Sequence, residues 1–404
     1  FPANSPIPGL TDIVEIISNG YAFAARRVTD AGAKMVTAWG YTSYGGSFPN
    51  GSPIPGMTDI VEVVATAQAF AARRSNGVNG ASGAVVAWGD NGNGGNVPLD
   101  VARRTDIVEV VGNVGAFAAI CDNRAGARTV VAWGNGTYGG TFPNGSVIPG
   151  LTDIVQVTSN TYAFAARREN GTVVVWGNSS YGGTFPNGSP IPGMTDVVEV
   201  IANTGAFAAI RDNRAGARTV VVWGNTAGGG SFPNGSIIPG LTDIVEVIGN
   251  DTAFAARRSN GTVVVWGDAS TGGSFPNGSV IPGLTDIVDV VGNFYAFAAL
   301  RSNGSVVAWG NADYGGQIPQ SIVPLLTNVR AIYPSFGAFA ALTEDGRVVV
   351  WGHSSYGGAN NTVPSTLQGN ISYELKAAIS QDDSPRIAAP RKRRHRKPEL
   401  IPSP

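Results

Sequence analysis

Apolar residues in this chain come in short β-branched runs of five or six, such as IVEVV and TVVVW, bounded by glycine, asparagine and proline. That pattern predicts strands. No segment sustains the i, i+3, i+4, i+7 apolar spacing of a helix over helical length. Between two such runs lies AFAARR, as at 22–27, which alternates. Its period of two puts Phe23 and Ala25 on one side and Ala22, Ala24 and Arg26 on the other. The Arg26 position is Ile120, Ile210, Leu300 and Leu342 in equivalent segments. It therefore reads as half-buried, with the arginine stem laid along apolar surface. The alanines let one sheet approach the next closely.

The pattern repeats along the chain. All 8 tryptophans (Trp39, Trp88, Trp133, Trp176, Trp223, Trp266, Trp309 and Trp351) are followed by glycine, at intervals of 49, 45, 43, 47, 43, 43 and 42 residues. Each closes a VV-x-WG run. Each is preceded by an AFAA segment, with phenylalanines at 23, 70, 117, 164, 207, 254, 297 and 339. Before that comes TDIVEV or a variant, beginning at 11, 58, 105, 152, 195, 242 and 285, with a degenerate TNVRAI at 327–332. After WG comes a loop ending near GG and a proline. A period of this size signals a repeat architecture, here of eight units.

The turns between AFAA and VV-x-WG vary. Asn170-Gly171, Asn260-Gly261, Asn303-Gly304 and Asp345-Gly346 are two-residue hairpin signals, because both central positions tolerate positive φ. Units three and five carry longer NRAGAR loops at 123–128 and 213–218. Three strands per unit, a short fourth expected near the FPN stretch, and a Gly/Pro-rich crossover predict one propeller blade per unit. A single blade cannot bury its faces, whereas stacked blades can, each tryptophan covering about 150–250 Å² between them. The expected fold is an all-β propeller of seven or eight blades built from eight tandem repeats of about 42–49 residues over 1–365. Either eight blades close, or seven close and the eighth belongs to a neighbouring array. The opening FPANSPIPGL matches the tail of a unit (FPNGSPIPGM, 48–57) and lacks an initiator Met, so the chain reads as a fragment or a processed product.

Composition changes this picture little. Of 404 residues, 43% are hydrophobic and 14% charged, and 56 are glycine. No apolar run reaches the roughly 18 residues a membrane-spanning helix needs. The single cysteine, Cys121, excludes an intrachain disulfide framework and a thiolate metal cluster. Charge is uneven: residues 371–404 hold 8 Lys and Arg against 4 Asp and Glu, leaving 19 against 24 before them. A mildly acidic body lacks the clustered cations that broad phosphate binding requires.

At this point the repeat resembles a known family. The order V-V-x-W-G-x-N-x-x-G-G, then a strand, then A-F-A-x-L-x-x-x-G, is similar to the repeat of the regulator of chromosome condensation family. It is clearest in 300–316 (LRSNGSVVAWGNADYGG) and 342–358 (LTEDGRVVVWGHSSYGG). The resemblance covers about 1–365 and implies a β-propeller, usually of seven blades, without implying one function. Members include an exchange factor for a small GTPase, a plant ultraviolet receptor, ubiquitin-ligase modules and secreted bacterial inhibitory propellers. The exchange factor's Gly-x-x-His pair before the AFAA strand is absent, since the chain has only His353 and His395. No wedge-like insertion stands out. The ultraviolet receptor's tryptophan clusters are absent too. The resemblance is therefore closer to bacterial members than to the eukaryotic exchange factor.

Nothing marks the chain as an enzyme. No Ser/His/Asp set, metal spacing or phosphate loop is legible, and no cofactor is expected. The recurring aspartates Asp12, Asp59, Asp106, Asp153, Asp196, Asp243 and Asp286 could form a cation-binding ring, but a turn-forming Asp before a strand is the favoured reading. The fifth position after the tryptophan is tyrosine in five units: Tyr44, Tyr138, Tyr181, Tyr314 and Tyr356. An exposed ring of these would suit a protein or glycan partner; the alternative is a loop tyrosine packed on its own blade. Triplets such as Asn144-Gly145-Ser146 and Asn234-Gly235-Ser236 read as repeated Asn-Gly turns ahead of glycosylation sites. Cys121 occupies a position that is arginine in sibling units, which argues against a nucleophile.

Residues 366–404 lose the repeat and gain prolines and charge, a composition of disorder. RKRRHRK, with Arg391, Lys392, Arg393, Arg394, Arg396 and Lys397, suits a nuclear-localisation or nucleic-acid patch, a protease site, or a solvated linker. The sequence thus predicts a non-enzymatic scaffold presenting a loop face to a protein partner, in a secreted or surface setting. The alternatives are a nuclear, chromatin-associated or small-GTPase-regulating propeller that meets nucleic acid only through its tail, and a carbohydrate-binding propeller.

Overall fold

A computed structural model describes residues 12–47, 58–75, 83–122, 128–140, 152–183, 195–213, 216–230, 242–273 and 284–359. They form eight three-stranded antiparallel sheets in tandem, each with its strands in chain order. The blades span 13–40, 60–89, 107–134, 154–177, 197–224, 244–267, 287–310 and 329–352. Eight units thus give eight blades. In blade 4 the strands are Ile154–Ser159, Ala163–Arg168 and Val173–Gly177. The fourth strand expected near FPN, the Asn-Gly-Ser triplets, the 365 boundary and the basic tail lie outside the described residues.

Register explains the repeat's conserved spacing. The AFAA phenylalanine pairs with the blade tryptophan across the second and third strands, as in Phe117↔Trp133 and Phe254↔Trp266. The two rings stack at 5.2–5.5 Å between centroids. The first strand carries one extra residue opposite the second, between Ile13 and Glu15 and at each equivalent place. That bulge turns the second residue of IVEV outward, which leaves Val14, Val198, Val245 and Val288 exposed.

Blades pack face to face, as the alternation of AFAARR predicts. Ala22, Ala24 and Val36 of blade 1 close on Ile60, Val63, Phe70, Ala72 and Trp88 of blade 2. The same set recurs between later blades. Small downstream faces thus receive large upstream ones. The AFAA phenylalanines from Phe70 to Phe339 are at most 1% exposed. The first strand of each blade lies beside the first strand of the blade before.

Two further devices fix the stack. The loop after each WG ends in a glycine with left-handed backbone, Gly45 at φ 96°, which lies directly on the Phe70 and Trp88 rings of the next blade. A side chain there would strike Phe70 at 2.7 Å. This is why GG follows every WG. In four blades the tryptophan N–H also donates to that glycine's carbonyl: Trp88 to Gly45, Trp133 to Gly94, Trp176 to Gly139 and Trp351 to Gly315, at 3.0–3.2 Å. The second device is a ladder of backbone hydrogen bonds through the turns between first and second strands. It runs Gly20→Ala67→Val114→Thr161→Thr204→Asp251→Phe294→Phe336, at 3.0–3.3 Å. Each N–H donates to the carbonyl of the equivalent residue one blade on.

Candidate functional site: an aromatic rim on one edge of the blades

The five tyrosines singled out by spacing each end a short 3₁₀ turn after the third strand. Examples are Thr42–Tyr44 and Ser179–Tyr181. The residue before each turn holds extended backbone, and in four of the five its side chain accepts from the turn, as Asn178 does from Ser180 N and Asn311 from Asp313 N; Tyr41, before the first turn, makes no such bond. The tyrosine carbonyl is then gripped by an asparagine in the same blade. Asn19, Asn113, Asn160 and Asn293 donate from Nδ2 to Tyr44, Tyr138, Tyr181 and Tyr314 at 2.7–2.8 Å. The same asparagines accept two backbone N–H groups at the start of the second strand, Asn160 from Tyr162 and Ala163 at 2.9 and 2.7 Å. Ser335 replaces the asparagine in blade 8 and donates to Tyr356 O at 2.8 Å. Sequence reasoning missed this clamp. Its signal was a polar residue three places before each AFAA.

The clamp brings the two loops of each blade to one edge, where their aromatic side chains meet. Tyr44 packs on Tyr21 at 4.6 Å and on Tyr41 at 5.0 Å. Tyr162 sits between Tyr181 at 4.2 Å and Tyr138 of the preceding blade at 5.6 Å. The largest group joins blades 7 and 8: Tyr295 lies 4.1 Å from Tyr314, and Phe336 lies 4.7 Å from Phe294 and 5.0 Å from Tyr356. His353 stacks on Tyr314 at 5.1 Å. Tyr21, Phe294, Tyr295, Phe336 and His353 were not selected from sequence, because their positions are not tyrosine in most units. Burial, then the neighbouring tyrosines, raises the Tyr162 and Tyr295 hydroxyls above the usual phenol range.

The expected exposed ring is only partly so. Tyr356 is exposed, whereas Tyr44, Tyr138, Tyr181 and Tyr314 are half-buried against their neighbours. The most open rim residues are Tyr21 and Tyr41, at 52% and 58%. Three aromatic groups are separated by blades that carry Asn93, Gly228 and Thr271 at the tyrosine position. The six tail cations lie outside the described residues.

The recurring aspartates have a role that neither expected reading contained. Asp12, Asp59, Asp153, Asp196, Asp243 and Asp286 each pair with the arginine fifteen residues on, at 2.6–2.9 Å. Each pair ties the start of the first strand to the end of the second. The carboxylates are neutralised by cations already present. Among the described residues no group of three metal-ligating side chains occurs. Unit three breaks the pattern because Cys121 stands where the arginine should be; Asp106 is instead held by Arg104 at 2.6 Å. Cys121 is fully buried, and burial pushes its thiol up to about 12. A thiol that stays protonated at neutral pH is no nucleophile. No helix among the described residues is long and apolar enough to cross a membrane.

No family model matches this chain, and no curated protein does. Solved structures similar to it include human WBSCR16, 17% identical over 61% of this chain and 77% of that one, with a TM-score of 0.41. Another is Prp20p from Saccharomyces cerevisiae, 16% identical over 66% and 75%, with a TM-score of 0.40. A third is the ectodomain of the Physcomitrella patens receptor kinase CR4, 16% identical over 76% of both chains, with a TM-score of 0.39. The fold rests on the blade geometry described above, an all-β array of eight tandem propeller-type repeats.

Proposed function

We propose that this chain is a non-enzymatic binding scaffold whose aromatic rim receives a protein partner. The observation that carries the reading is the convergence of Tyr295, Tyr314, Phe336, His353 and Tyr356 on one edge of blades 7 and 8. Clustered aromatics with phenol hydroxyls at their tips provide broad contact area at low conformational cost, and such residues are enriched in protein interfaces. The loops that bear them are held by Asn293 in blade 7 and Ser335 in blade 8, so little ordering remains for binding. The missing histidine pairs favour a reading nearer bacterial propellers than the exchange factor, and a secreted or surface setting accords with that reading.

The test uses the full chain in three forms: unaltered, with Tyr314→Ser and Tyr356→Ser, and with Arg391, Lys392, Arg393, Arg394, Arg396 and Lys397 all changed to serine. Each is used to capture ligands from lysate of the source cells at low and high salt. A protein retained by the first and third forms at both salts, and lost from the second, supports the rim. Nucleic acid captured only at low salt, and lost from the third form, moves the function to the tail. Retention of glycans instead of protein by the first form supports a carbohydrate-binding propeller and overturns the reading.

A further inference from the structure

Among the described residues seven inter-blade interfaces repeat one design, and blades 1 and 8 each show one half of it exposed. On the upstream face of blade 1, Phe23 is 45% exposed and Ile16 60%, although every equivalent phenylalanine is at most 1% exposed and the residues matching Ile16 at most 6%. On the downstream face of blade 8, Gly357 is exposed and none of the described residues lies within 4 Å of the space its Cβ would fill. Its seven counterparts are buried, each 2.6–3.0 Å by the same measure from a ring of the following blade. On that face Tyr333, 47% exposed, borders an apolar hollow with Ala340 and Leu342. These are positions that elsewhere receive the next blade's isoleucine and phenylalanine. Among the described residues the axial ladder begins at Gly20 and ends at Phe336. Its direction leaves the Phe336 N–H to donate onward and the Gly20 carbonyl to accept.

We propose that these two faces join two copies of this chain head to tail, blade 8 of one seating blade 1 of the next as an eighth interface of the same kind. Both faces are exposed in one molecule, so they do not close on each other there. Each matches its missing half residue by residue: Phe23 and Trp39 over Gly357, Ile16 into the hollow beside Tyr333, Phe336 N–H to Gly20 O. The contact continues an interface that the chain already builds seven times. It contains no charge that would need desolvation at those positions. Because the two surfaces differ, the contact is heterologous and propagates into a filament unless the rotation closes a ring.

Sedimentation velocity on the full chain across a wide concentration range tests this, with two variants. One carries Ile16→Asp and Phe23→Asp. The other carries Tyr333→Asp and Gly357→Val. All four positions are exposed, and far-ultraviolet circular dichroism checks that each variant keeps the fold. The unaltered chain is expected to form species larger than a dimer, and each variant to weaken association at least about 100-fold. An equimolar mixture of the two variants, which retains one good face of each kind, is expected to stop at the dimer. A chain that stays monomeric at the highest concentration overturns the proposal, whether its own ends close or another partner covers them. So does assembly that persists in either variant.

Discussion

Asp106 bonds Arg104, two residues away, where six other blades bond the arginine fifteen residues on. The exchange follows from one substitution. Cys121 fills the arginine's place and joins an apolar cluster with Val101, Ile107 and Val131. Its thiol then meets an environment that disfavours charge.

The buried thiol makes a pH prediction. Burial pushes the thiol from the ordinary 9.0 up to about 12. Below pH 9 both states hold the proton and the group contributes fully. Between about 9 and 12 the unfolded chain loses a proton that the folded chain keeps. Stability should therefore fall across that window by up to about 1.4 kcal/mol per pH unit. Urea midpoints of the unaltered chain and of Cys121→Val, compared from pH 7 to 10.5, should diverge only above pH 9. A thiol reagent should find no reactive group in the native protein and one after unfolding.

Removing the ordinary ion pair should cost little. Arg168→Ala breaks a 2.6 Å pair whose side chains remain about a quarter exposed. Solvent screening limits the expected loss to about 1 kcal/mol. Added salt should shrink the difference between the two urea midpoints.

The glycine seats should respond according to what lies over them. Gly182 has φ 88°, and its Cβ would lie 2.8 Å from Trp223. Gly182→Ala combines left-handed strain with overpacking and should destabilise by about 2–4 kcal/mol. Gly357→Ala has the strain alone, about 1–2 kcal/mol. Thermal unfolding of the two variants should separate them in that order.

The phenylalanines offer the same contrast. Phe207→Ala opens a cavity between blades 4 and 5 and should cost about 3–5 kcal/mol. Phe23→Ala, with nearly half its surface already in water, should cost much less. Equal losses at the two sites would mean that blade 1 is covered in solution.

The asparagine clamp should govern the rim. Asn160→Ala leaves the Tyr162 and Ala163 amides and the Tyr181 carbonyl without their partner. A cost of about 2–3 kcal/mol is expected. Hydrogen exchange should quicken at Tyr162 and Ala163 before other blades respond. The Tyr162 phenol, raised by burial against its neighbours, should return toward its ordinary range in an ultraviolet titration.

The sequence by itself determined the eight repeats, the three strands in each, and which AFAA residues share a side. Those features follow from patterns within a few residues: β-branched runs, a period of two, and Asn-Gly turns. Repetition then made each pattern legible eight times over. The ion pairs were almost legible as well, since TNVRAI loses the aspartate at Asn328 and its partner position becomes Thr343. What hid them was the bulge after Ile13, which shifts register by one and sets Asp12 beside Arg27. Only the tertiary structure decided how the rim is built, because Tyr138 meets Tyr162 and Tyr314 meets His353 across blades, at separations that no local pattern encodes. It alone also decided that Phe23 lies open while Phe70 is buried: the two segments read alike, and burial depends on whether another blade stands against them.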